Sequence, residues 1–520
     1  MNRKIEDISY KGDLRYFIEM KMELVDVTTG SNPLHEDDEH GTRKEKNLLN
    51  GDNGDGEVKD PNEKDWPPVY TRLLAVIASL NSCNIGYDLG VNTGLVESFQ
   101  RCDGNSVCMT DFQVEVYMGA LAFTSVFGGL AMFTVSAPYG RRGVFYVSQA
   151  LLLVGLFVTI VSNTYEVLVL GRLIAGFAIG LSFTVDGLYI AEVSPKKCRG
   201  LLVSWSETAC NIGILLGFCM SYALKDVPGN AQWKTMIGLG MILPVVLLVL
   251  VRYVMPESPR WLMMNGRKEE AGVILRNCSY SPYDNELAEK LADELDADIK
   301  EELAASAGTS WYSMFSDPIT VKKLRAGIGV AVAGALTGID GVQYYMFHIF
   351  EDSGMESDTE KFQGLILVGL VKLLVISIGG YGFDVFGRKP MLILSNLGIS
   401  LSFIIMAANS VHGSGAVGLF AVVFYAASFS AGMGPGAWLV PSELYSNDIR
   451  SKAVSLTSFI NRTIAFVVAI SFLSMLNGMS YGVYILFAII TSCSAMYIYV
   501  MLPESRGKTL EEMHEVFKNF

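Results

Sequence analysis

About twelve apolar stretches run along this chain, each long enough to cross a bilayer as a helix, with short polar breaks between most of them. They fall near 69–94, 113–136, 142–162, 166–190, 200–223, 232–254, 324–350, 360–383, 389–408, 414–440, 452–474 and 480–501. Roughly 20 apolar residues span a ~30 Å hydrocarbon core, and a backbone inside lipid is satisfied only as a helix or a closed barrel. The pattern predicts an all-α integral membrane protein with twelve transmembrane helices. Composition agrees: 51% of the 520 residues are hydrophobic and 18% charged, an apolarity uncommon in soluble domains of this size.

The runs repeat in kind. Gly140-Arg141-Arg142 separates the second and third, and Gly387-Arg388-Lys389 separates the eighth and ninth. This implies two six-helix halves, 67–254 and 324–502. The connection 255–323 between them carries a charged helical segment near 285–295, and a short tail follows at 503–520. Residues 1–66 are polar and acidic, with His35-Glu36-Asp37-Asp38-Glu39-His40 and a Gly-Asp-rich run at 51–57, so a disordered tail is expected there. No cleavable signal peptide opens the chain. Arg141, Arg142, Lys196, Lys197, Arg199, Arg388, Lys389, Arg450 and Lys452 share one face. By the positive-inside rule that face and both termini are cytosolic. Duplicated bundles commonly hold a solute between the repeats at mid-membrane depth.

Further motifs flank the turns. Gly86-Tyr87-Asp88-Leu89-Gly90 lies in the first run and Gly171-Arg172 in the fourth. Ala191-Glu192-Val193-Ser194-Pro195 with Arg199-Gly200, and Pro256-Glu257-Ser258-Pro259-Arg260, follow the fourth and sixth. The second half shows Gly434-Pro435-Gly436-Ala437-Trp438, Ser442-Glu443-Leu444-Tyr445 with Arg450, and Pro503-Glu504-Ser505-Arg506-Gly507. Over residues 69–517 the chain resembles the sugar porter family of the major facilitator superfamily. Glu207, Lys372 and Asn461-Arg462 resemble its polyol and monosaccharide proton-symporter branch.

That resemblance implies a major facilitator fold and a carrier for a hexose, pentose, linear polyol or inositol. Asp88 and Arg172 would couple protons. Glu207, Asp340, Gln343, Tyr344, Tyr345, Trp438 and Asn461 would meet the solute. At the cytosolic ends Arg141, Arg142, Glu192, Arg199, Glu257, Asp384, Arg388, Glu443, Arg450 and Glu504 form either a gate or a static ion-pair girdle. Proton symport at the plasma membrane, by a monomer, is the leading reading. An uncoupled facilitator and a nutrient sensor built on the same fold are the alternatives.

The residues support these roles physically, because an ionisable group inside a bilayer is costly unless paired or wet. Hydroxylated solutes call for amides, carboxylates and aromatic faces in an apolar pocket. The chain departs from the family where Gly334-Ala335 replaces two adjacent glutamines and Ala137 replaces an Asp that Asp384 keeps in the second half. Asp186 is unusual; relay of protons, binding of hydroxyls and pairing with a cation such as Lys372 or Arg462 all remain open. Cys102 and Cys108 share a predicted outer loop and suit a disulfide. No metal-ligand spacing, phosphate-cradling loop or catalytic triad is present, so neither an enzyme nor a cofactor is expected, nor a nucleic-acid partner.

Overall fold

The computed structural model describes residues 67–100, 107–279, 285–306, 313–446, 449–508 and 510–520, and every regular element among them is helical. The expected tail 1–66 and Cys102 lie outside the described residues; Cys108 is disulfide-bonded.

Six membrane-length segments precede a set of short helices and six follow. The first set comprises α1 (Val69–Gln100), α2 (Asp111–Val161), α3 (Tyr165–Val193), α4 (Arg199–Ala223), α5 (Asn230–Leu239) and α6 (Ile242–Tyr253). The 51-residue α2 holds two spans, and α5 with α6 makes the sixth. The connecting helices are α7 (Pro259–Met264), α8 (Lys268–Asn277) and α9 (Asn285–Ser306). The second set comprises α10 (Pro318–Leu336), α11 (Ile339–Tyr344), α12 (Met346–Asp352), α13 (Asp358–Phe386), α14 (Arg388–His412), α15 (Gly415–Ala431), α16 (Met433–Leu444), α17 (Arg450–Met479) and α18 (Tyr481–Met501). The terminal helix α19 (Leu510–Asn519) follows.

Eleven spans among the described residues are long and apolar enough to cross a membrane. The twelfth, α1, has the length at 32 residues. It falls short in apolarity because Asn81, Ser82, Asn84, Asn92 and Thr93 are buried in it beside Asp88. Large apolar side chains such as Leu374, Ile378, Ile404, Phe420 and Ile489 point outward and would face lipid.

The duplicated turns are built alike. Gly140 breaks α2 at φ 71° and Gly387 separates α13 from α14 at φ 93°, a region that disfavours any residue with a Cβ. A Cβ would also strike a carboxylate, lying 2.2 Å from Glu257 Oε2 at the first turn and 2.8 Å from Glu504 Oε2 at the second. Each carboxylate caps the helix after its turn. Glu257 accepts from the amides of Arg141 and Arg142, and Glu504 from those of Arg388 and Lys389. The sequence separations are 116 and 115 residues in both halves. Negative charge at a helix N-terminus is favourable. Burial pushes the Glu257 carboxyl above its ordinary range, and the Ser258, Arg142 and Arg141 amides oppose that shift.

Two long spans are interrupted. The seventh breaks at Gly338 (φ 79°) between α10 and α11, and the tenth at Gly432 between α15 and α16. The charged segment α9 docks on the basic face: Lys196 pairs with Asp298, Lys268 with Asp293, and Arg260 with Glu302.

Candidate functional site

The two helix sets touch at the face opposite the basic turns. Glu115, fully buried, accepts from the Ser474 amide at 2.6 Å and its hydroxyl at 2.5 Å. Asn477 donates to Asp111 at 2.8 Å, and Lys225 to Thr359 at 2.6 Å. Deeper, Thr93 donates to the Gln343 carbonyl at 3.1 Å. Beyond that tie a cavity of about 260 Å³ lies between the sets and continues to Val454 and Ser455, in the first turns of α17 at the basic face.

Two carboxyl and two cationic side chains line it: Glu207 from α4, Asp340 from α11, Lys372 from α13 and Arg462 from α17. Lys372 Nζ donates to Gln343 Oε1 at 2.8 Å. Among the described residues the Gln343 Nε2 donor is then left buried without a partner, as is the Asn211 Oδ1 acceptor. Both residues are in the cavity wall. A fixed donor and a fixed acceptor there match what a hydroxyl offers, whereas leaving both unsatisfied is costly. Arg462 lies over the rings of Phe183 (4.9 Å) and Trp438 (5.0 Å), which themselves approach to 5.2 Å. This cation–π stack bridges the two sets near the basic end.

Of the residues expected to meet solute, Glu207, Asp340, Gln343, Tyr344 and Trp438 line the cavity. Tyr345 and Asn461 stand outside it. The Tyr345 ring stacks on Phe472 and its hydroxyl donates to the Ala469 carbonyl, while Asn461 donates to the Ala331 carbonyl. Gly334-Ala335 also lies behind the wall. A Cβ at 334 would come within 2.8 Å of Ala437 Cβ, so α10 and α16 close the space that a longer side chain needs. Lys372, Arg462, Phe183 and Asn211 were legible as intramembrane polar or aromatic groups, but no spacing rule assigned them to the cavity.

Asp88 and Arg172 meet inside the first set. Arg172 Nη1 donates to both carboxylate oxygens, at 2.7 and 2.9 Å, with the guanidinium 5.0 Å from the Tyr117 ring centroid. Asn92 Nδ2 donates to Asp88 Oδ1 and Tyr117 to Asn92. A cleft of about 20 Å³, room for one water, borders Asp88 and Asn84.

Asp186 pairs with neither Lys372 nor Arg462, correcting the cation-pair option. Its carboxylate accepts from Asn81 and Ser82 of α1 instead, because the Asp186 face of α3 packs into the first bundle and away from the cavity.

The basic-face residues form two matching clusters, each within one half. Arg141 pairs with Glu192 at 2.7 Å and Ser258 donates to the same carboxylate. Arg388 pairs with Glu443 at 2.9 Å and Ser505 donates to it. Arg142 donates to the Val251 and Arg252 carbonyls, Asp384 meets Arg388 at 3.4 Å, and Arg450 donates to the Tyr445 carbonyl. Arg199 is exposed. The serines escaped the sequence reading, although each directly follows its Pro-Glu pair in both halves.

Comparison with known proteins agrees with this architecture. A family model described as "Sugar (and other) transporter" matches residues 74–517. Probable polyol transporter 4 of Arabidopsis thaliana is 33% identical over 460 residues, covering 86% of this chain and 85% of that protein. Polyol transporter 5 of the same plant is 32% identical, covering 87% of each. The proton:xylose symporter XylE of the major facilitator superfamily, bound to 6-bromo-6-deoxy-D-glucose, superposes with a TM-score of 0.72 at 25% identity, covering 86% of this chain and 99% of that one. An inward-open form of the xylose transporter XylE from E. coli gives the same values. The chain belongs to the sugar transporter family of the major facilitator superfamily.

Proposed function

We propose that this chain is a secondary transporter for a sugar or polyol, driven by proton symport through alternating access of its two halves. The observation that carries the reading is the cavity between them. An unpaired amide donor and an unpaired amide acceptor, Gln343 Nε2 and Asn211 Oδ1, stand in one wall with Glu207, Asp340, Lys372 and Arg462. This set reads adjacent hydroxyls: carboxylates accept from them, cations and the glutamine donate to them, and the Trp438 and Phe183 faces cover apolar carbon edges. It compensates for the glutamines missing at 334 and 335.

Asp88 is the proton carrier of this scheme. Arg172 holds its carboxylate, and helix motion that separates the pair frees Asp88 to take up a proton. The Arg141–Glu192 and Arg388–Glu443 clusters fix the helix ends that move as bodies. With the basic turns in the cytosol, both ends of the chain are cytosolic and the cavity faces inward. Residues 67–254 and 324–502 act as the rocking units, and a monomer in the plasma membrane suffices.

Purified protein in proteoliposomes, given radiolabelled linear polyols, inositols, hexoses and pentoses, tests the reading. Uptake above equilibrium under an inward proton gradient is expected. Flux independent of the gradient would indicate a facilitator, and binding without flux a sensor.

A further inference from the structure

Asp186 is used by none of the groups assigned so far. It is 2% exposed within α3, and neutral side chains hold it: Asn81 Nδ2 reaches Oδ1 at 2.5 Å and Ser82 Oγ reaches Oδ2 at 2.6 Å. Behind them Gln149, fully buried on α2, donates Nε2 to Asn81 Oδ1 at 2.5 Å, with Ser148 and Ser182 hydroxyls at 3.4 and 3.5 Å. No ion pair to Asp186 occurs among the described residues. The ionisable groups of the surrounding helices are engaged elsewhere. Asp88 of α1 holds Arg172 of α3; Arg141 of α2 holds Glu192 of α3; Arg142 of α2 holds backbone carbonyls of α6; and Glu207 of α4 faces the cavity. The nearby Tyr189 hydroxyl donates to the Pro256 carbonyl.

An unpaired carboxylate at this depth is expensive as an ion, and the surrounding network accepts either charge state. When Asp186 is ionised, Asn81 donates to it and Gln149 donates to Asn81. When Asp186 is protonated, its O–H donates to an Asn81 amide turned end for end. Asn81 then donates to a Gln149 amide turned likewise, whose former nitrogen position, now oxygen, accepts from Ser182. Amide oxygen and nitrogen occupy almost the same space, so the chain reverses direction without displacing a helix.

Polar side chains of α1 lie between this site and Asp88. Asn81, Asn84, Asp88 and Asn92 are spaced by 3, 4 and 4 residues, one face of α1. Asn84 is 4% exposed, its Nδ2 has no partner among the described residues, and it borders the one-water cleft beside Asp88. Two helical turns, about 10 Å, separate Asp88 from Asn81.

We propose that Asp186 is a second proton-binding site, the inner station of a path that runs from Asp88 along the polar face of α1. The Asp88 O–H bond breaks as Asp88 closes on Arg172, the proton passes to water in the cleft beside Asn84 and on through further water admitted along the polar face of α1 as the helices move, and an O–H bond forms on the Asp186 carboxylate. Later release to the basic face restores the ion. The link to solute movement rests on the symport reading; the proton site does not.

The test therefore has two readouts on the full chain. Infrared titration of the purified protein should show a protonated-carboxyl C=O band, sensitive to deuteration, that Asp186→Asn removes and Asp88→Asn retains. In proteoliposomes, with a solute from the flux screen, Asp186→Asn should lower the ratio of proton-driven uptake to gradient-free counterflow by about a hundredfold, as for loss of a positioned proton-transfer group. The proposal is overturned if the band survives Asp186→Asn, or if that ratio is unchanged. Should Asp186→Asn fail to fold, Gln149→Leu decides: a displaced band supports the site and an undisplaced one overturns it. If no solute moves at all, the symport reading falls and the infrared result stands alone.

Discussion

Replacing Asp88 by asparagine should both uncouple the protein and destabilise it, and the stability loss can be sized from the contacts of Arg172. The Arg172 side chain is 3% exposed and that of Asp88 11%. Within the described residues Arg172 Nε and Nη2 have no hydrogen-bond partner. The charge is balanced almost wholly by Asp88, at 2.7 and 2.9 Å, with the Tyr117 ring adding a weaker attraction at 5.0 Å. Removing one member of a buried pair costs about 3–5 kcal/mol, because the other charge stays behind uncompensated. Asparagine keeps one acceptor oxygen, which places Asp88→Asn near the lower end, about 3 kcal/mol. Removing both charges with Asp88→Asn/Arg172→Met should recover most of that loss, since replacing a buried pair by apolar groups is often neutral. Neither variant should accumulate solute under a proton gradient. Equilibrium unfolding in mixed detergent micelles measures the first effect and proteoliposome uptake the second. A single variant within about 1 kcal/mol of wild type, with a double variant no more stable than the single, would refute the electrostatic account. Gradient-driven accumulation persisting in Asp88→Asn would remove Asp88 from the proton path.

Glu257→Gln and Glu504→Gln should destabilise by similar amounts, about 1–3 kcal/mol each, because each carboxylate takes two turn amides at the same separations. The double variant should be additive in the same unfolding assay, the two sites sharing no partner. Lys372→Met removes the ammonium that orients Gln343 at 2.8 Å. It should raise the KM for uptake about tenfold or more, the value of one hydrogen bond to a charged group, with expression and folding retained. Gly86→Ala places a Cβ 1.9 Å from the Cys210 carbonyl oxygen and should cost about 1–3 kcal/mol by forcing α1 from α4. Gly380→Ala, where a Cβ meets nothing within 4 Å, serves as the neutral control in the same measurement.

The fold was legible because lipid leaves the backbone few choices. Apolar length located the spans, and the repeated Gly-Arg turns located the join within each half. Interruptions at Gly338 and Gly432 were readable for the same reason, glycine being the residue that breaks such runs at least steric cost. Partner choice was harder. Glu192 shares its face with Arg141, Arg142 and Arg199 and pairs with Arg141, and Glu443 shares it with Arg388 and Arg450 and pairs with Arg388. Sequence order says that such groups reach one face, but helix rotation and depth decide which oxygen meets which nitrogen. Tyr345 and Asn461 show the same limit. Each lies in a span that contributes to the cavity, and a turn of the helix carries each into packing instead. Asp186 shows it most clearly, since Phe183 and Thr184 line the cavity while Asp186 faces Asn81 and Ser82.

That distribution bears on what can change during transport. Neither basic-face cluster bridges the two halves, so a rigid-body rocking motion of the proposed kind would leave their bonds intact. A difference in free energy between states must come from contacts that cross between the halves. Among the described residues these include Glu115 with Ser474, Asp111 with Asn477, Lys225 with Thr359 and Thr93 with Gln343 on one side, the Phe183–Arg462–Trp438 stack on the other, and apolar packing such as Phe123 on Phe466. The polar crossings hold the far face shut, and Glu115, fully buried, would lose two short bonds on opening. The aromatic stack gives way more readily, because a cation over rings tolerates sliding better than a directed hydrogen bond. Under the proposed function, solute bound at the Gln343 side chain would touch the residue whose carbonyl accepts from Thr93, so occupation of the cavity would bear on a bond that must break for the far face to open.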